Sequence, residues 1–324
     1  MRWYAQSKRD LPWRGAKDPY VIWISEVMLQ QTRVTAVLPY FERFIQRFPT
    51  VEELAAAPES DVLHAWAGLG YYSRARNLRE AARRIVGAGA FPNSYDALRA
   101  LPGIGEYTAA AVGSIAFGLP YAAIDGNALR VLSRVNADAG DIGSPETRER
   151  LAAIANKWLD RRQPGDFNQA VMELGATICL PQSPRCLECP LARRCEAHAG
   201  GREEQYPVKL RKAEKNEAHE TLYYIERDGD ILLWQRPAHS HRLAGFWELP
   251  GPRELAQISD AEEAGEFRHS IVNTTYYFRV VRAAAGAVPE GLSWVAKASI
   301  DELPLSTTTR KAMRRLGNSA AGVP

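Results

Sequence analysis

The stretch Leu101-Pro-Gly-Ile-Gly-Glu-Tyr-Thr-Ala109 decides how the N-terminal part of the chain is built. It places Gly103 and Gly105 two residues apart between segments of helical spacing. Glycine permits the tight turn and lets another backbone approach closely. The turn also aims the free N–H groups of the next helix outward, as a ready cradle for phosphate. In many proteins a helical hairpin with this turn is a sequence-independent clamp for the DNA backbone. A plain connection between helices is the competing reading, and the two glycines alone do not decide between them.

Helical patterns extend on both sides of this turn. Upstream, Asp18-Pro19 is a helix start, with Asp as N-cap and Pro in the first turn. Helices are expected over 20–31, 34–48, 51–56, 60–67, 73–86 and 94–100, then downstream over 106–117, 127–136, 146–159 and 166–177. A second Gly-x-Gly turn, Gly68-Leu-Gly70, is followed at once by Tyr71 and Tyr72 and then by Arg74 and Arg76. Aromatic wedges beside guanidinium groups suit unstacked bases and phosphates, although packing of one tyrosine in the core explains part of the pattern equally well.

Residues 1–199 therefore read as an all-α domain, and the polar, aperiodic stretch 200–216 as a linker. Beyond it the period changes, and 217–324 read as an α+β domain. A hairpin is expected from 220–226 and 230–236 around Arg227-Asp-Gly-Asp230. Further strands fit 245–249, 271–282 and 292–295, and a terminal helix follows Ser306.

The chain has 324 residues, 46% apolar and 24% charged, which excludes wholesale disorder and fibrous structure. Its net charge of +3 is uneven: residues 1–212 balance to +5 and 213–324 to −2. The basic front part is compatible with a polyanionic partner. No apolar run is long enough to cross a bilayer, and the N-terminus has no apolar core before a small-residue cleavage site. A soluble, intracellular protein is expected.

All four cysteines lie in one short loop: Cys179, Cys186, Cys189 and Cys195. Disulfides confined to so small a loop would constrain little of a large chain, so the spacing points to a metal. Zinc usually takes two tight pairs far apart in sequence. Four thiolates wrapped from one loop suit an iron–sulfur cube better, yet this spacing matches no generic ferredoxin pattern, and zinc stays open. So does a metal that only props up a basic loop, since Arg185, Arg193 and Arg194 surround it.

Two carboxylates sit in apolar company. Glu26 lies within Tyr20-Val-Ile-Trp-Ile-Ser-Glu-Val-Met-Leu29. Desolvation there should raise its pKa and suit it to act as a general acid, unless it is merely a satisfied buried acid. Asp125 precedes Gly126-Asn-Ala-Leu-Arg130, where an ordinary N-cap is the simpler reading. Together with the cysteine loop and the turn, the two look like a pair for glycosidic-bond chemistry.

These segments, in order, resemble a known family. The runs 22–32, 68–78, 101–111 and 123–134 with the cysteine loop are similar to the adenine DNA glycosylases of the MutY type, within the endonuclease III-like helix-hairpin-helix superfamily. The likeness is dense over about 10–212. It extends more weakly into a Nudix-like C-terminal domain through Trp234-Gln-Arg-Pro237, Leu243–Gly251 and Phe267-Arg-His269.

The resemblance implies removal of adenine, flipped out of a duplex in which it is mispaired with 8-oxoguanine or guanine. Glu26 would protonate the base, Asp125 would stabilise the cationic sugar or capture it transiently, and Tyr107 and Asn127 would hold the reacting groups. Trp13, Arg14 and Glu173 would line the adenine pocket. Gln31 and Tyr71 would wedge into the stack near the lesion, with Gly68, Gly70, Arg74, Gly103, Gly105 and Arg185 as further DNA contacts. The cysteines would hold a 4Fe-4S cluster. A monomer without membrane attachment, cytoplasmic and of bacterial type, is implied.

One position separates two chemistries, and at another the sequence departs from the family. Relatives that also nick the strand carry a lysine two residues after the second glycine of the hairpin; this chain has Tyr107, so efficient strand cleavage is not expected. Where the family has Phe-Ser-His for the lesion, this chain has Ile271-Val-Asn273, leaving Ser270, Asn273, Thr274 or the backbone to read it. The fragments Arg253-Glu-Leu255 and Glu262-Glu-Ala-Gly265 do not assemble a Nudix hydrolase box, so the second domain should bind rather than hydrolyse. An enzyme with lyase activity and a non-catalytic DNA-binding protein are the rival readings.

Overall fold

A computed structural model describes residues 1–210, 216–237, 239–240, 243–271 and 273–319. Residues 211–215 of the expected linker and Val272 of the triplet aligned with Phe-Ser-His lie outside the described residues.

The N-terminal part is helical. Its elements are α1 (Arg2–Ser7), α2 (Pro19–Leu29), α3 (Val34–Arg47), α4 (Val51–Ala56), α5 (Glu59–Trp66), α6 (Ser73–Ala88), α7 (Tyr95–Arg99), α8 (Glu106–Phe117), α9 (Gly126–Val135), α10 (Pro145–Trp158), α11 (Pro164–Thr177) and the short α12 (Glu196–Ala199). The starts follow from capping chemistry. Asp18, Ser94, Asp125 and Ser144 each accept a hydrogen bond from a backbone N–H in the first turn of the helix they open. Pro19, Pro145 and Pro164 stand at first-turn positions where no N–H is required. The expected helices are present with ends shifted by a residue or two; α1 and α12 are additional, too short to leave a periodic signal.

α2 is apolar nearly all round and buries Tyr20 and every residue from Ile22 to Met28. It packs on α8, which buries Thr108 to Ser114. At roughly 1.5–3 kcal/mol for each large apolar side chain removed from water, this pair is the core on which the rest is hung. The turn before α8 is tight: Gly103 has φ +74°, and a Cβ there would lie 2.7 Å from that of Asn77.

The C-terminal part holds β1 (Asn216–Tyr224), β2 (Glu226–Arg227), β3 (Asp230–Gln235), β4 (Trp247–Glu248), β5 (Ser259–Ile271), β6 (Thr274–Ala284), β7 (Leu292–Ala296) and a terminal α13 (Thr307–Ser319). One sheet runs β1-β6-β5, with β1 parallel and β5 antiparallel to β6; the other runs β2-β3-β4, with β7 also on β3. Leu233, Leu249, Val280, Leu305, Ala312 and Leu316 make a core between sheets and helix.

Two expectations need correction here. The hairpin around Asp228-Gly229 exists, both residues having positive φ as a tight hairpin turn demands. Of the expected first arm, however, β2 pairs with β3 while β1 leaves for the other sheet. The single strand expected over 271–282 is instead the second arm of a β5–β6 hairpin. The acidic run Asp260–Glu266 hid β5, since its outward side chains are charged and its register slips at two irregularities.

Chain contacts define two compact units: Met1–Ala56 with Asn77–Lys212, and Ala57–Arg76 with Ala213–Pro324. The segment carrying the Gly68-Leu-Gly70 turn thus groups with the strand-bearing unit.

Gly103→Ala should lower stability by about 1–3 kcal/mol, since it adds both left-handed strain and a clash with Asn77. An unchanged urea midpoint would contradict the close approach.

Candidate active site and cysteine centre

Glu26 sits mid-way along α2 with only 5% of its surface exposed. The Tyr107 hydroxyl, from the first turn of α8, donates to Glu26 Oε2 at 2.6 Å, and Met172 Sδ of α11 lies 3.2 Å from that hydroxyl. Burial raises the Glu26 carboxyl to about 7; the Tyr107 hydrogen bond pulls it down and the Asp125 charge pushes it up. Burial, and then the charges of Glu26 and Asp125, keep the Tyr107 phenol far above its usual value. Glu26 therefore exchanges its proton near neutrality, while Tyr107 remains a neutral donor.

Asp125 caps α9, and both of its oxygens are engaged. Oδ1 accepts from the Ala128 N–H at 2.7 Å and Oδ2 from Asn127 Nδ2 at 2.9 Å. The N-cap and functional readings are thus compatible: the cap fixes a carboxylate whose charge reaches Glu26. Arg130 Nη2 donates to Asn127 Oδ1 and to the Gly175 carbonyl, both at 2.7 Å, and Arg130 Nε donates to the Cys179 carbonyl at 2.8 Å. Gly175 allows this crossing of α11 over α9, since a Cβ there would come within 2.6 Å of that of Asn127.

Glu173 is buried, receives Arg9 Nε at 2.8 Å and Arg9 N–H at 3.0 Å, and is paired with the Arg14 guanidinium. Burial works against its charge, but the bonds from Arg9 and Arg14 outweigh it and bring the carboxyl down to about 2. Its contribution to stability is present above the ordinary carboxylate pKa and is lost as pH falls through about 2. Trp13 is buried edge-on against Phe41, with ring centroids 5.0 Å apart. Arg14 and Glu173 are thus brought together. Arg9, Met172 and Arg134 went unread in the sequence, and Arg130 signals only as an unsuitable amine. The spacing Asp125, Asn127, Arg130, Arg134 along one helix is the signal that could have revealed the last two.

The four cysteines line one cavity, with no disulfide among them. The buried Arg134 guanidinium donates to Cys179 Sγ at 3.3 Å and to the Pro181 carbonyl at 3.0 Å. A cation aimed at sulfur suits a thiolate rather than a thiol. Burial, followed by Glu203 and the neighbouring Cys179 and Cys189, pushes the Cys186 thiol up to about 11, and burial raises Cys189 and Cys195 as well. Crowded thiols of this kind release protons to a bound metal. A smaller mixed set, Cys186, His198 and Glu203, also lies within ligand reach of a common point. Arg185 is exposed on this loop.

Among the remaining expected residues, Gln31 follows α2 with φ +55° and is exposed, and Gly105 stands at the N-cap of α8. In the Gly68-Leu-Gly70 turn, Tyr71 is 45% exposed with φ +50°. Arg74, expected as a DNA contact, is engaged within the protein. It is turned inward, donates to the Leu69 and Gly70 carbonyls at 3.3 and 3.2 Å, and lies over the Trp66 and Tyr71 rings. At the β5–β6 hairpin end, Ser270 pairs with Thr275 and Ile271 with Thr274, and Asn273 is exposed at the tip.

A model of the HhH-GPD superfamily of base excision DNA repair proteins matches residues 24–157. The adenine DNA glycosylase of Homo sapiens is 34% identical, over 97% of this chain and 72% of its own length. That of Buchnera aphidicola subsp. Baizongia pistaciae is 37% identical over 87% and 84%. Among solved structures, a thermostable thymine-DNA glycosylase is similar with 30% identity and TM-score 0.54, over 61% of this chain and 93% of that one. Endonuclease III in a non-covalent DNA complex shares the fold, with 23% identity and TM-score 0.52, over 62% and 92%. The chain therefore belongs to the adenine DNA glycosylase family and is a base excision repair glycosylase of the MutY type.

Proposed function

We propose that the chain removes adenine from duplex DNA where it is paired with 8-oxoguanine or guanine, by hydrolysis and without efficient strand cleavage. The observation that carries this reading is the buried carboxyl of Glu26, shifted to about 7, bonded to Tyr107 and facing the field of Asp125. An acid poised there holds its proton at neutral pH and can still release it.

The adenine is flipped from the stack into a pocket lined by Trp13, Arg14 and Glu173, the last held anionic by its arginines. Glu26 transfers its proton to N7 of the base, and the electron pair of the bond from C1′ to N9 leaves with the neutral adenine. Asp125, fixed by Asn127 and the cap of α9, stabilises the oxocarbenium-like sugar. Water then attacks C1′ and gives its proton to the Glu26 carboxylate, restoring the acid. At the hairpin position where strand-nicking relatives carry a lysine, Tyr107 offers a neutral phenol, and Arg130 is occupied with Asn127, Gly175 and Cys179. Gly103, Gly105 and Arg185 hold the backbone, while Gln31 and Tyr71 wedge the stack. The hairpin tip with Ser270, Asn273 and Thr274 reads the opposing lesion.

Cys179, Cys186, Cys189 and Cys195 are proposed to hold a 4Fe-4S cluster. When bound, it ties four points of one basic loop to a common centre. The inward-aimed Arg134 and the shared cavity support this fit.

Incubation with duplexes containing adenine opposite 8-oxoguanine should give strand breaks only after alkali. The single-turnover rate should fall as pH rises through about 7, because the required form of Glu26 is protonated and its folded pKa is raised. Glu26→Gln should cost about 10²–10⁴ in that rate, as loss of a general acid does. Breaks without alkali would favour a lyase, and no base release a binding protein. Purified protein should also be coloured and carry about four iron atoms per chain. A colourless, zinc-loaded protein would point instead to a zinc site, with Cys186, His198 and Glu203 as one candidate set.

A further inference from the structure

The Gly68–Arg76 turn holds one residue, Tyr71, in a backbone conformation it does not favour. Gly68, Gly70 and Tyr71 have φ of +108°, +72° and +50°. For a tyrosine this region is strained and persists only where the surroundings over-determine it. Part of the restraint is local. Trp66 Nε1 donates to the Gly70 carbonyl at 3.1 Å, and the Gly68 N–H donates to the Tyr72 hydroxyl at 3.3 Å.

The rest comes from far along the chain. The Tyr72 ring packs on Phe246 with centroids 4.0 Å apart. Arg76 joins Glu59 Oε1, at 2.8 Å, to the carbonyl of Ala244. Phe246 is fully buried, its N–H bonded to the Leu243 carbonyl at 3.0 Å and its carbonyl receiving the Arg236 N–H at 2.9 Å. It is a fixed post, whereas Tyr71 is 45% exposed.

We propose that Phe246 is a positioning residue for Tyr71. It holds the ring of Tyr72, whose hydroxyl holds Gly68, so that Tyr71 is presented in one conformation rather than many. The inference rests on the proposed reading of Tyr71 as the wedge. It assigns the strand-bearing part of the chain a role in base flipping separate from lesion reading. A pre-set wedge loses less freedom on entering the stack than one that must first be ordered.

The test uses the full chain with Phe246→Leu, which keeps an apolar filler, and Phe246→Ala. In the free protein, amide hydrogen exchange over Gly68–Arg74 should quicken about tenfold or more in the alanine variant, less in the leucine variant, and not at all in α2. Unchanged exchange in that segment would overturn the proposal, whatever Tyr71 does. A second measurement follows single-turnover excision of adenine opposite 8-oxoguanine in Phe246→Ala, Tyr71→Ala and the double variant. A loss of about tenfold from Phe246→Ala that disappears once Tyr71 is gone supports the positioning role. An equal loss in both backgrounds overturns it. Should Tyr71→Ala itself excise normally, the wedge reading falls, and hydrogen exchange alone decides whether Phe246 shapes the turn.

Discussion

A carboxyl group kept from water in the middle of an apolar helix is the constraint on which the rest of this structure depends. α2 is apolar on almost every face, so Glu26 has little contact with solvent. The protein offers it one strong donor, the Tyr107 hydroxyl, and sets a second carboxylate, Asp125, near enough to oppose its ionisation. The contribution of this carboxyl to folding stability is fully present below the ordinary carboxylate pKa and lost as pH rises through about 7. The same property that weakens the fold near neutrality gives the acid its chemistry.

Around this group the helices supply geometry. α8 begins at a glycine turn and brings Tyr107; α9 begins at Asp125; α11 brings Met172 to the Tyr107 hydroxyl and Glu173 to Arg9 and Arg14. Arg130 and Arg134 run from the Asp125 cap to the cysteine loop, so the N-terminus of α9 and the thiol cavity share one rigid element. Two carboxylates, Glu26 on α2 and Glu173 on α11, end with opposite properties. One is raised by burial with a neutral donor, the other lowered by two guanidinium groups.

Much of this was legible in the residues. The helices of the N-terminal part announce themselves by caps and prolines, and the cysteines by sequence proximity. Glu26 stands out because a lone acid in an apolar run must be buried if the helix is. The N-cap motif at Asp125 shows the cap but not the bond from Asn127 to its other oxygen, which depends on the rotamer that Arg130 imposes. What failed was long-range. β1 and β5 are disguised by strand pairings the sequence cannot fix, and by outward charges that break the alternation. The sequence places Arg74 beside two glycines but does not show that its guanidinium bonds the carbonyls of that turn.

The account is tested most directly by following the side-chain carboxyl of Glu26 itself. Isotope-edited infrared or carbon NMR titration of the free protein, with Glu26→Gln to assign the signal, should show its midpoint near 7. A midpoint at the ordinary carboxylate value of about 4.3 would mean that the group is an anion at neutral pH and cannot be the acid.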